Sequence, residues 1–160
     1  MSVNKYRPHV LVLPEDDANR QLANGFLPDQ ALSTRSIQVL EEVGGWREVV
    51  DHFLSDHVAD MERYPDRSMI LLIDFDGDVN RSNFVKAKIP TQVAARVYIL
   101  GALNEPEDLK LDLGSYETIG QKLVKDCREE TNTTWGHDEL KHNAGELDRL
   151  RERVRPILFQ

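Results

Sequence analysis

The chain has one cysteine, Cys127, so it can form no intramolecular disulfide and no thiolate metal cluster. A reducing, cytoplasmic setting is the expectation. No apolar run approaches the ~20 residues of a membrane-spanning helix. The opening Met1-Ser2-Val3-Asn4-Lys5-Tyr6-Arg7-Pro8 is not followed by the hydrophobic segment of a secretion signal. No membrane partner is expected. Basic charge is scarce: 20 Lys and Arg stand against 28 Asp and Glu, a net charge of −8 that repels polyphosphate at long range. That argues against a tight, stand-alone DNA binder. Nine Gly and seven Pro in 160 residues, with 40% hydrophobic residues, exclude collagenous and low-complexity chains. Also missing are a Gly-x-x-x-x-Gly-Lys-Ser/Thr phosphate loop, a Gly-x-Gly-x-x-Gly fingerprint and a Gly-x-Ser-x-Gly elbow. ATPase, dehydrogenase and hydrolase-triad readings therefore lose their usual support.

What is present is a succession of short apolar runs alternating with amphipathic ones. His9-Val10-Leu11-Val12-Leu13 is apolar at consecutive positions, as a strand covered on both faces must be. A helix is expected over Glu15–Phe26 and a short strand over Ser36–Leu40. A strong helix starts at Trp46, with Val49, Val50, Phe53, Leu54, Val58 and Met61 on one face and Pro65 at its end. Met69-Ile70-Leu71-Leu72-Ile73 is a second fully apolar strand, and Arg96–Gly101 a fourth short one. Two helices follow, marked by Tyr116, Ile119, Leu123 and Cys127, then by Leu140, Ala144, Leu147, Leu150 and Val154. This alternation predicts an α/β fold with about four parallel strands flanked by helices, plus C-terminal helices. Residues 1–160 are expected to form one domain, with a core over 9–110 and a helical extension over 115–158.

Each strong strand runs into acids. Glu15-Asp16-Asp17 follow the first, Asp74-Phe75-Asp76-Gly77-Asp78 the Met69–Ile73 strand, and Glu105, Glu107 and Asp108 the Arg96–Gly101 strand. In an open parallel sheet the ligand crevice lies beyond the carboxyl ends of the strands, so these clusters should converge. Close carboxylates raise one another's pKa unless a cation lies between them, and an all-oxygen set suits Mg²⁺ or Mn²⁺ better than zinc. The candidate metal ligands are Glu15, Asp74, Asp76, Asp78, Glu105 and Glu107, with Glu15, Asp74 and Asp76 foremost. The competing reading is that acids after strands cap helices and shape turns.

The Val10–Glu15 strand ending in Glu, followed by Leu72-Ile73-Asp74-Phe75-Asp76-Gly77, resembles the Toprim domain of topoisomerases, primases and OLD-family nucleases. Leu100–Leu109 looks like the Glu-rich stretch of the OLD-like branch. The resemblance covers roughly residues 9–110. It implies a compact, Rossmann-like Toprim fold and Mg²⁺-dependent cleavage of phosphodiesters, with Glu15 as the catalytic glutamate and Asp74 and Asp76 as the metal-holding pair. It also implies a partner ATPase, with nucleic acid reached through a partner or an oligomer. Asp16 stands where the family usually has Gly, and Asn19 where OLD-like members often carry an acid. Val12–Arg20 is also similar to the start of a response-regulator receiver domain, with Asp74 as acceptor, although Asp74 lies beyond the usual spacing and no Lys-Pro pair follows. A non-catalytic acidic interaction module is the alternative of another class.

Arg81, Lys86 and Lys88 form the one basic stretch near the proposed site and are candidates for receiving substrate phosphates. A solvated loop explains them equally. The five histidines read as structural or exposed, because His52 with His57 and His137 with His142 are spaced by five rather than four. Trp46 and Trp135 read as core or interface residues, since neither lies beside a basic stretch.

Overall fold

The computed structural model describes residues 2–160. A four-stranded, all-parallel sheet of order β2-β1-β3-β4 forms the centre, with β1 at His9–Pro14, β2 at Ile37–Val39, β3 at Arg67–Leu72 and β4 at Val97–Leu100. Successive side chains point to opposite faces. Val10, Val12, Ile70, Tyr98 and Leu100 therefore join one core, while Leu11, Leu13, Met69, Leu71, Val97 and Ile99 join the other. Covering on both faces explains why the strands are apolar at consecutive positions. The expected α/β class and parallel sheet are observed.

The first core is closed by α1 (Asp17–Asn24), α6 (Glu107–Leu113), α7 (Tyr116–Glu129), α8 (Ala144–Arg153) and α9 (Arg155–Leu158). The second is closed by α2 (Trp46–His52), α3 (Val58–Arg63), α4 (Arg81–Lys86) and α5 (Thr91–Ala94). The single helix expected from Trp46 is interrupted by a π-helical segment, Phe53–His57, between α2 and α3. Phe53 stays fully buried through it. Helices α4, α5 and α6 were not expected, because six, four and seven residues are too few to display a helical period.

From β1 the chain steps outward to β2 over one face, then returns across β1 to β3 over the other face. Opposite directions on opposite faces give the crossovers one common hand, as packing of twisted strands demands. The winding reverses between β1 and β3, which leaves a crevice at their carboxyl ends. Helix α1 packs on α7 closely enough that a Cβ on Gly120 would lie 2.8 Å from the Gly25 Cα. That contact fixes the carboxyl end of α1 against α7.

The outer edge of β4 is closed by side chains. Asn143 accepts from the Gly101 N–H at 3.2 Å and donates to the Gly101 carbonyl at 3.0 Å, and Glu146 accepts from the Ile99 N–H at 2.8 Å. Two residues one helical turn apart thus take the place of a fifth strand, satisfying backbone groups that would otherwise be a pairing hazard. Among the described residues no helix is long and apolar enough to cross a membrane.

Candidate functional site

Glu15 follows β1 directly, and its N–H still donates to the Leu72 carbonyl at 2.9 Å. Asp74 lies just past β3, between Ile73 and Phe75, whose N–H groups donate to Leu100 and Ala102 at 2.9 and 3.0 Å. Sheet hydrogen bonding therefore carries both acids to the rim of the crevice where the winding reverses. They meet there: Glu15 Oε2 accepts from the Asp74 N–H at 2.5 Å.

Asp16 is the N-cap of α1, its Oδ1 accepting from the Asn19 N–H at 2.9 Å. One turn into the helix, Asn19 is fully buried, and its Nδ2 donates to Asp16 Oδ1 at 2.9 Å and Asp74 Oδ1 at 3.0 Å. A single amide thus ties α1 to the end of β3. The other end of that amide, Oδ1, is buried without a partner among the described residues. The cap follows from Asp16 at the head of the helix, whereas the link to Asp74 depends on the packing of α1 over the end of β3.

Burial pushes the Asp74 carboxyl from its ordinary 3.8 to about 7; the Asn19 hydrogen bond opposes this, and the charges of Glu15, Asp16 and Asp76 add to it. Glu15 is also raised, by burial first, against the Asp74 N–H and with help from Asp16 and Asp76. The pair is short of positive charge. Glu105, exposed on the loop before α6, is raised chiefly by the charge of Glu107, with Asp76 also contributing. The third acidic cluster therefore lies within electrostatic reach of the second.

Asp76 and Gly77 form the turn beyond Phe75, with φ of 49° and 79°. A non-glycine residue there is uncommon, Asp being among the more tolerant, and such positions concentrate at functional sites. The Asp76 carboxylate turns to Arg81, whose Nη1 lies 2.6 Å from Asp76 Oδ2 and 2.8 Å from the Asp74 carbonyl oxygen. Asp78 is an exposed turn residue whose Oδ1 accepts from the Asn80 N–H. With Glu15 on a backbone N–H and Asp76 on Arg81, no three Asp, Glu, His or Cys side chains are arranged to hold a metal ion among the described residues. Glu15, Asp74 and Asp76 are brought together as expected, but as a hydrogen-bonded and ion-paired set.

Of the basic residues, Arg81 reaches the acids, whereas Lys86 is drawn to Glu146 at 2.9 Å beside the β4 edge. Lys88 stacks on Phe84, 5.0 Å from the ring centroid. The expectation that Trp46 has no basic neighbours is corrected. Arg81 lies over its ring at 4.5 Å and Arg47 at 5.1 Å, and Phe84 meets it edge-to-face at 5.7 Å. Trp46 and Arg81 are far apart in sequence, and only the packing of α2 beside α4 joins them. No protein-family profile, curated protein or solved structure matches this chain.

Proposed function

We propose that the chain is a Mg²⁺- or Mn²⁺-dependent phosphodiester-cleaving protein of the Toprim-like type, working on nucleic acid together with a partner ATPase. The observation that carries the reading is the meeting of Glu15 with Asp74 at the reversal of the winding, with Asp76 on the adjoining turn. The donor chemistry fits a hard divalent cation: three carboxylates, two of them with pKa values raised by burial and neighbouring charge, beside a buried amide oxygen that has no partner among the described residues. A bound cation would supply charge to a phosphate oxygen and acidify water. Glu15, Asp74 and Asp76 would hold it. Asn19 orients Asp74, and Arg81 holds the Asp76 turn through the Asp74 carbonyl. The net charge of −8 leaves tight nucleic-acid affinity to a partner or an oligomer.

The second reading is a non-catalytic acidic interaction module. It is favoured by the pairing of Asp76 with Arg81 and by the lack of a preassembled three-ligand group among the described residues. A divergent receiver-like domain has less support, because the sheet stops at four strands where Asn143 and Glu146 occupy the edge.

Titrating Mn²⁺, Mg²⁺, Ca²⁺ and NaCl against wild type and the Asp74→Asn, Asp76→Asn double variant separates the readings. Melting temperature and cleavage of single- and double-stranded DNA and RNA are followed in the same samples. Metal-dependent stabilisation of wild type alone, by RT ln(1 + [L]/Kd), is expected, with cleavage lost in the variant. An equal, weak response to Mg²⁺, Ca²⁺ and salt in both proteins would refute the metal site and favour the interaction module.

A further inference from the structure

Beside the acids, and continuous with them through Arg81, lies a cluster of aromatic and cationic side chains; a second one, with Lys5, Arg63 and Arg67 on Tyr64, sits where β3 begins. Trp46 at the start of α2 and Phe84 on α4 meet edge-to-face at 5.7 Å, and Phe84 is 53% exposed. Three cations stack on these two rings: Arg81 and Arg47 on Trp46, at 4.5 and 5.1 Å, and Lys88 on Phe84, at 5.0 Å. Arg47 and Lys88 are exposed and have no carboxylate partner among the described residues, whereas Arg81 is shared with Asp76.

We propose that this face binds single-stranded nucleic acid, with a base stacking on the exposed Phe84 ring beside Trp46 and the phosphates meeting Arg47, Lys88 and Arg81. The inference deepens the phosphodiester reading and rests on it for the chemistry at the neighbouring acids, but the binding itself needs no metal. Exposed rings flanked by cations are the combination that holds unstacked bases without sequence preference. A duplex keeps its bases stacked inside and presents edges and phosphates, so it gains from the cations but not from the rings. That difference selects the single strand. Arg81 joins the two regions: its guanidinium lies on the Trp46 face while Nη1 reaches Asp76. A strand resting on Phe84 beside Trp46 therefore brings a phosphate to the cation that contacts the acidic turn. A phosphate that takes Arg81 also relieves Asp76 of its partner.

The test is the anisotropy of an end-labelled 15-mer oligothymidylate, and of a 15-base-pair duplex, titrated with the full chain in EDTA at 25 and 200 mM salt. Single-strand binding at least about tenfold tighter than duplex binding, weakening with salt, is expected. Phe84→Ala, at an exposed position, is expected to weaken single-strand binding about fivefold to a hundredfold, the range for losing one stacked base. Arg47→Glu and Lys88→Glu should each weaken it about tenfold, while Lys122→Glu, the same charge change on an exposed position of α7, should leave it unchanged. Trp46→Phe keeps a ring in the half-buried position and should retain most of the affinity. Equal binding of duplex and single strand would overturn the proposal, as would equal losses in Lys122→Glu and the face variants, or no binding at 25 mM salt. An acidic protein as the true occupant would give that last result. Because EDTA removes any metal contribution, failure here leaves the metal titration untouched, and failure of metal-dependent stabilisation leaves this binding result standing.

Discussion

Replacing Asp74 with Asn should stabilise the protein, and by an amount that grows with pH. Asn keeps the shape of the side chain and an oxygen able to accept from Asn19 Nδ2, so the substitution removes charge and little else. The folded-state pKa is raised from 3.8 to about 7. A group shifted in that direction contributes its full stability below the unfolded value, and that contribution is lost as pH rises toward the folded value. Each tenfold change in proton affinity corresponds to about 1.4 kcal/mol. The wild type therefore forfeits on the order of 4 kcal/mol between pH 4 and pH 7 through this group, and little more above pH 7. Asp74→Asn should match wild type near pH 4 and exceed it by several kcal/mol at pH 8. Neutralising Asp74 also lowers the cost of ionising Glu15, which adds to the difference. Urea unfolding at half-unit steps from pH 4 to pH 9, in EDTA, measures it. A pH-independent difference, or a less stable variant at pH 8, would refute the electrostatic account of the crevice.

Other outcomes follow from the same contacts. Glu146→Ala removes the acceptor of the Ile99 N–H and the partner of Lys86, leaving a buried edge N–H unpaired, so urea unfolding should register a loss of about 1–3 kcal/mol. At Gly101 a Cβ would lie 1.5 Å from the Ile73 carbonyl oxygen, so Gly101→Ala must force β3 and β4 apart where they feed the site; loss of the cooperative thermal transition is expected. His9, His57 and His142 all have lowered pKa values through burial, so their contribution is complete above pH 6.5 and is lost as pH falls below it. With the opposing contribution of Asp74 removed, the stability of Asp74→Asn should change with pH more favourably than that of wild type between pH 5 and pH 7; parallel profiles for the two proteins would contradict this.

The strands were legible because burial on both faces leaves a mark that needs no partner: consecutive apolar residues at 9–13 and 69–73. The convergence of Glu15 on Asp74 was legible for a related reason, since strand ends in a parallel sheet share one side. Helices α4, α5 and α6 were hidden, being too short for periodicity and tied to the fold through contacts such as Val85 and Val93 in the second core. The pairing state of each acid was hidden too. Nothing about Asp76-Gly77 announces that its carboxylate turns to Arg81, and nothing in a run of three basic residues tells Lys86, bound at the β4 edge, from Arg81, bound at the acids. Side-chain destinations depend on which helix packs where, and here those helices are the ones without a sequence signature.

The distribution of positive charge explains why the crevice is held in tension rather than at rest. Arg81 reaches the rim, and it is spent on Asp76 and on the Asp74 carbonyl oxygen, not on the Asp74 carboxylate. Asn19 brings only dipoles to Asp74, and they fall short of reversing the effect of burial. Glu15 and Asp74 consequently share a low-dielectric space in which a proton is the nearest available compensation at neutral pH. A fold selected for stability alone would place an apolar or amide side chain at position 74, since an acid kept unpaired there lowers stability throughout the neutral range. The cost is intelligible if the carboxylate is needed by something that arrives from outside. The cation–aromatic face of Trp46 and Phe84 lies on the other side of the same arginine, so a phosphate arriving there competes for Arg81 at the point where the acids are least compensated.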